Sequence, residues 1–200
     1  MKKTITIYLL NIEKIKTNEN KILTFLPKNR IEKANRYIKK EDYYLSIGGS
    51  YLIEKYVGKG DYFYTKEGKP YKKEKNFSLS HSNEFVGLAL DKFELGLDIE
   101  KIRDFNKMLI PYISSKKEEA EIQRKEDFFL TWCLKESLLK CIGIGLKAKL
   151  NSAPSKLGIY QFNGDIYSSK ALIYNDYQIA LTIKENKEIS LKIVELQNIV

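Results

Sequence analysis

Lys40-Glu41-Asp42-Tyr43-Tyr44-Leu45-Ser46 returns 85 residues later as Lys125-Glu126-Asp127-Phe128-Phe129-Leu130-Thr131, and this recurrence decides the fold class. The same register carries Lys55-Tyr56-Val57-Gly58-Lys59-Gly60 onto Lys140-Cys141-Ile142-Gly143-Ile144-Gly145, with seven identities in 21 ungapped positions. Any two amphipathic helices share apolar spacing, but not a common Gly-x-Gly stop in the same register. Further on, Glu84 to Leu90 resembles Asp176 to Leu181. The expected architecture is therefore α+β. Two similar halves, each a long helix plus an antiparallel sheet, pack with pseudo-two-fold symmetry and an active site between them. The halves are residues 1–100 and 101–200, with the boundary between Asp98 and Phe105.

The flanking sequence fills in this frame. Thr4 to Leu10 reads as an opening strand, and Arg30 to Val57 is helical with a break near Lys39–Asp42. Strands are expected at Tyr62–Tyr64, Asn76–Ser80, Phe85–Asp91 and Glu94–Glu100. Phe105 to Gln123 reads as mostly helical, interrupted by Pro111 and Ser114-Ser115. Glu126 to Ile142 is the strongest helix, stopped by Gly143 and Gly145. Leu157–Phe162, Asp165–Ile173, Tyr177–Ile183 and Ile189–Val194 alternate as strands.

With 200 residues, 43% hydrophobic and 30% charged, the chain has a globular composition and can bury a real core. Its 35 basic against 26 acidic side chains leave +9, which favours polyanionic partners. Two cysteines and the single His81 exclude a Cys₄ or Cys₂His₂ zinc site and a disulfide scaffold. The apolar run Ile5 to Leu10 is too short for a signal peptide or a membrane span, so a cytoplasmic protein without membrane association is expected.

Three groups of residues carry chemistry. In Gly96-Leu97-Asp98-Ile99-Glu100, strand alternation puts both acids on one face and Leu97 and Ile99 on the other. Adjacent carboxylates suit Mg²⁺, although two solvated acids on a strand edge fit the same pattern. In Trp132-x-x-Lys135-Glu136-Ser137-x-x-Lys140, spacing of four stacks Trp132, Glu136 and Lys140 on one helical face. Glu136 then offers a third carboxylate and Lys140 a phosphate-binding charge. The alternative is a surface Glu–Lys pair beside a core tryptophan. In the repeat Lys140 has Lys55 as its counterpart, but Glu136 falls opposite Tyr51, as a single asymmetric site requires. Third, His81 sits in Phe77-Ser78-Leu79-Ser80-His81-Ser82, where hydroxyls and an imidazole suit phosphate oxygens. Cys133 and Cys141 read as core thiols.

Gly68-Lys69-Pro70, Phe77-x-Leu79-Ser80-His81-Ser82, Gly96-Leu97-Asp98-Ile99-Glu100 and Trp132-x-x-Lys135-Glu136-Ser137-x-x-Lys140-x-x-Gly143-x-Gly145-Leu146, in this order, resemble the larger pseudo-dimeric 4′-phosphopantetheinyl transferases, of the type that activates surfactin synthetase. The resemblance covers roughly residues 20–150. It implies coenzyme A as donor, Mg²⁺ as cofactor and an apo acyl or peptidyl carrier protein as acceptor. Asp98, Glu100 and Glu136 match the metal ligands, with Asp98 and Glu136 catalytic. Arg30, Lys33, Ser46, Lys69, Ser80, His81 and Lys140 match coenzyme A contacts. The family's aromatic-Ser-x-x-Glu pattern fits here only through Tyr112 and Ser115, leaving the general base among Glu136, Glu118 and a metal-bound water. A monomer is expected, because the repeat already supplies both halves of the cleft. The competing class is a basic nucleic-acid-binding module with tyrosines stacking on bases. It leaves Asp98, Glu100 and Glu136 without a role, so no nucleic acid is expected as partner.

Overall fold

The computed structural model describes residues 2–60, 63–66, 69–72, 75–144 and 149–199; Tyr62, Gly68, Gly145 and Leu146, named above, lie outside them. Strand β1 (Lys3–Asn11) alternates as its sequence predicts. Ile5, Ile7 and Leu9 enter one core, while Leu10 enters another on the opposite face. Four helices follow: α1 (Ile12–Thr17), α2 (Glu19–Phe25), α3 (Lys28–Ala34) and α4 (Lys40–Leu52). The first two were not expected. Asn11 starts α1 by accepting the Glu13 amide hydrogen, and Ile12, Ile15 and Ile22 bury its and α2's inner faces.

Helix α4 runs on through a π-helical turn, Ile53–Val57, to Gly58, whose φ of +115° suits glycine. Strands β2 (Phe63–Tyr64) and β3 (Pro70–Tyr71) form a small hairpin. Strands β4 (Asn76–Ser82), β5 (Phe85–Asp91) and β6 (Leu95–Lys101) come next. The expected helix over Phe105–Gln123 is only a 3₁₀ turn (Lys107–Leu109) and two short helices, α5 (Ile110–Ile113) and α6 (Lys116–Glu119). Helix α7 (Lys125–Ile142) ends at Gly143, with φ +88°. The offset of 85 thus holds at both ends of the two long helical segments and at the glycine that stops each. Strands β7 (Gly158–Phe162), β8 (Asp165–Tyr174), β9 (Tyr177–Ile183) and β10 (Ile189–Glu195) complete the chain.

The main strands form two four-stranded sheets, ordered β10-β1-β5-β4 and β6-β9-β8-β7. The order strand, helix, hairpin recurs as β1, α4, β4, β5 and as β6, α7, β8, β9. In each set the first strand pairs antiparallel with the last. The sheets do not divide at residue 100. β6 belongs to the second sheet, and β10 returns to the first, where it pairs with β1 in parallel rather than antiparallel fashion. The two sheets pack face to face through Ile5, Ile7, Leu97, Ile99, Ile179 and Leu181. Each such buried aliphatic side chain contributes about 1.5–3 kcal/mol. Helices α1–α4 cover the outer face of the first sheet, and α7 covers that of the second.

Helix α7 lies unusually close to β6. A Cβ on Gly96 would stand 2.0 Å from the Ser137 carbonyl oxygen and 2.4 Å from the Cys141 nitrogen. This approach brings Glu136 and Lys140 down onto the strand that carries Asp98 and Glu100.

Candidate active site

Leu97 and Ile99 enter the inter-sheet core, so the alternate residues of β6 face α7. Asp98 is 4% exposed and Glu136 4% exposed. The Asp98 Oδ1 atom accepts from Lys140 Nζ at 2.6 Å and from Ser80 Oγ at 3.1 Å, and Lys140 also donates to Ser80 Oγ at 3.1 Å. Asp98 Oδ2 and Glu136 Oε1 are buried with no hydrogen-bond partner among the described residues. A carboxylate is acceptor-only when ionised, so a buried oxygen of this kind calls for a cation or a proton. Burial and then the Asp98 charge push the Glu136 carboxyl above the ordinary range, and the same two causes raise Glu100. Burial lowers the Lys140 ammonium, but Asp98 and Glu136 outweigh it and hold it above the ordinary lysine value.

Among the described residues no three His, Cys, Asp or Glu side chains are grouped to hold a metal ion as they stand. The donor chemistry nonetheless fits one. Asp98, Glu100 and Glu136 supply oxygen ligands alone, two of those oxygens are orphaned, and Lys140 is the positive charge now seated against Asp98.

Beside the acids, α3, α4, β4 and the β2–β3 hairpin enclose a cavity of about 230 Å³. Arg30, Lys33, Ser46 and His81 line it, together with Tyr37 and Tyr64, which sequence reasoning did not single out. Partial desolvation, then the Lys140 charge, keeps the His81 imidazole below its ordinary pKa. The remaining three expected coenzyme A contacts lie elsewhere. Ser80 and Lys140 belong to the acid cluster. Lys69 donates to the Cys141 carbonyl at 2.7 Å, capping the C-terminal end of α7, and burial lowers its pKa. Trp132 is only half-buried, at the rim of a second cavity that it shares with Glu100 and Arg103. Both cysteines are buried, and burial pushes the Cys141 thiol up to about 12, so neither is a nucleophile at neutral pH.

Glu118 is already committed. It closes a capping box with Ser115 and accepts from the buried Lys135 Nζ at 2.7 Å and from Ser155. Burial pushes its carboxyl up, but the bonds from Lys135, Ser155 and Ser115 prevail and hold it at about 2. A carboxylate bound so firmly is a poor proton acceptor. The folded value lies below the ordinary 4.5, so the stabilisation is complete above that pH and is lost as the pH falls toward 2. Glu118→Gln is expected to cost roughly 2 kcal/mol at pH 7, less than the full shift because the side chain is partly solvated. Urea unfolding of both proteins should show this difference shrinking between pH 4.5 and pH 2.

Residues 94–182, which contain β6, α7 and all three acids, match the 4′-phosphopantetheinyl transferase superfamily. Over that stretch, a little under half of its length, the chain is similar to that superfamily. Its relatives are enzymes by name. The 4′-phosphopantetheinyl transferase gsp of Aneurinibacillus migulanus is 32% identical over 132 residues, covering 58% of this chain and 56% of the relative. A 4′-phosphopantetheinyl transferase of Bacillus subtilis is 29% identical over 156 residues, 70% of each chain. The Sfp enzyme of Bacillus subtilis strain 168 is 29% identical over 154 residues, 68% of this chain and 69% of its own. The matched stretch thus spans little more than half of the first relative and about 70% of the other two. No helix among the described residues is long and apolar enough to cross a membrane.

Proposed function

We propose that this chain transfers the 4′-phosphopantetheine arm of coenzyme A to a serine of an apo acyl or peptidyl carrier protein, with Mg²⁺ as cofactor, as a cytoplasmic monomer. The observation that carries this reading is the buried acid cluster with two orphaned oxygens, set beside a cavity bearing Arg30, Lys33 and His81. In the transfer, the serine oxygen bonds to the β-phosphorus of coenzyme A while the bond from that phosphorus to the bridging oxygen breaks. Adenosine 3′,5′-bisphosphate leaves, and the serine proton is taken up. Asp98, Glu100 and Glu136 would hold Mg²⁺, which when bound neutralises pyrophosphate charge. Arg30 and Lys33 supply cationic donors for phosphate oxygens, Ser46 a hydroxyl and His81 an imidazole donor. With Glu118 held by Lys135 and Ser155, the serine proton would go to Glu136 or to a metal-bound water. The recurring strand–helix–hairpin order supports a pseudo-two-fold pair of halves with the site at their seam.

Lys140 and Lys55 distinguish this reading from a purely structural repeat. They occupy equivalent helix positions, yet Lys140 meets Asp98 and Ser80, whereas Lys55 donates to Tyr51 Oη at 3.1 Å. Lys140→Ala is expected to weaken coenzyme A binding by about 1.5–3 kcal/mol, ten- to hundredfold. Lys55→Ala should change it by less than about twofold, since it removes no charge from the cavity or the acid cluster. Calorimetric titration of coenzyme A into the two folded variants decides; equal affinities would take Lys140 out of the site.

A further inference from the structure

Strand β6 is the edge of its sheet, and β4 is the edge of the other. The even residues of β6 face β9 in the hydrogen-bonded ladder, which leaves the amides of Leu97, Ile99 and Lys101 pointing toward β4. Serine hydroxyls take all three. Ser78 Oγ accepts from Leu97 N at 2.9 Å, Ser80 Oγ from Ile99 N at 3.2 Å and Ser82 Oγ from Lys101 N at 3.1 Å. Alternation on β4 spaces the hydroxyls to match alternation on β6, so side chains stitch the two sheets where no backbone ladder does.

A hydroxyl that accepts one bond still has a proton to give. Ser80 gives its proton to Asp98 Oδ1 at 3.1 Å, and Ser82 gives its own to Glu100 Oε2 at 2.9 Å. In each case the carboxylate belongs to the residue just before the amide that the serine accepts. At the third rung that preceding residue is Gly96, so Ser78 has no acid to hold.

From this register we infer that Ser82 is a positioning residue for Glu100. Through its hydroxyl it fixes one carboxylate oxygen and leaves the other to face a divalent cation. The inference rests on the reading of Glu100 as a cation ligand, and Ser78 is its internal control. Ser78 and Ser82 each bond one β6 amide and are both nearly buried, at 6% and 7% exposure. Loss of either hydroxyl should therefore lower the melting temperature by similar amounts. Only Ser82 touches an acid.

The test is Mn²⁺ binding to the full chain, followed by electron paramagnetic resonance with the metal alone. Glu100→Gln should weaken binding, and if it does not, the inference falls together with the cation reading. Given that loss, Ser82→Ala should raise the Mn²⁺ Kd about tenfold, the scale of lost support behind a ligand, while Ser78→Ala changes it less than twofold. Equal effects of the two serine variants, with Glu100→Gln still impaired, would overturn the role of Ser82 and leave the cation reading standing. Should Ser82→Ala fail to fold, the isosteric pair Ser82→Thr and Ser82→Val makes the same comparison. Threonine should bind Mn²⁺ as the parent does and valine about tenfold more weakly; matched affinities overturn the inference.

Discussion

Asp98→Ala is expected to cut phosphopantetheinyl transfer by roughly a thousandfold or more at fixed Mg²⁺, about 4 kcal/mol of transition-state stabilisation. The side chain sits at the centre of the site. One oxygen receives Lys140 and Ser80, and the other is buried without a partner among the described residues. Removing the carboxylate takes away the proposed cation ligand and the partner of Lys140 together. It does not open the apolar core, because Leu97 and Ile99, not Asp98, face the sheet interface. The variant should therefore remain folded by circular dichroism while single-turnover labelling collapses. Near-normal turnover would show that Asp98 is not a catalytic acid.

The second large effect falls on the fold. Gly96→Ala is expected to destabilise the protein by about 3 kcal/mol or more, at or beyond the upper end of ordinary overpacking. The new methyl would meet backbone atoms of α7, the Ser137 oxygen at 2.0 Å and the Cys141 nitrogen at 2.4 Å. A helix backbone cannot turn aside as a side chain can, so α7 must lift and carry Glu136 and Lys140 away from Asp98. Gly87 provides the contrast. A Cβ there meets the Ile99 Cδ1 methyl at 2.4 Å, a flexible tip, so Gly87→Ala should cost less. Urea midpoints for the two variants test the distinction. A Gly96→Ala protein as stable as the parent would mean that α7 does not lie on β6.

These elements were not equally legible in the sequence. Helix α7 and the α4 segment announce themselves by apolar periodicity, a shared acidic start and a glycine stop, all of which are local signals. The acid pair on β6 follows from strand alternation alone. The short helices α1 and α2 were missed because Ile12, Ile15 and Ile22 span too few turns to build a periodic signal. Over Phe105–Gln123 the interruptions at Pro111 and Ser114-Ser115 are legible, but the sequence does not show that they leave only single turns. The return of β10 to pair in parallel with β1 depends on contacts nearly 190 residues apart in sequence, which no local pattern encodes. Within the site, Asp98, Glu136 and Lys140 were legible by spacing. The second serine function was not, although Ser78, Ser80 and Ser82 alternate in plain view, because its meaning depends on which strand lies alongside. Tyr37 reaches the cavity from the α3–α4 connection and Tyr64 from β2, and only the tertiary structure brings them together.

The most direct test of the central claim is mass spectrometry of apo-carrier proteins incubated with this chain, coenzyme A and Mg²⁺. The proposed activity predicts that a carrier gains the mass of one phosphopantetheine arm, with adenosine 3′,5′-bisphosphate released in equal amount, and that Asp98→Ala abolishes both. No mass gain on any of several acyl and peptidyl carriers, together with tight, salt-dependent binding of random oligonucleotides, would contradict it and assign the basic surface to nucleic acid instead.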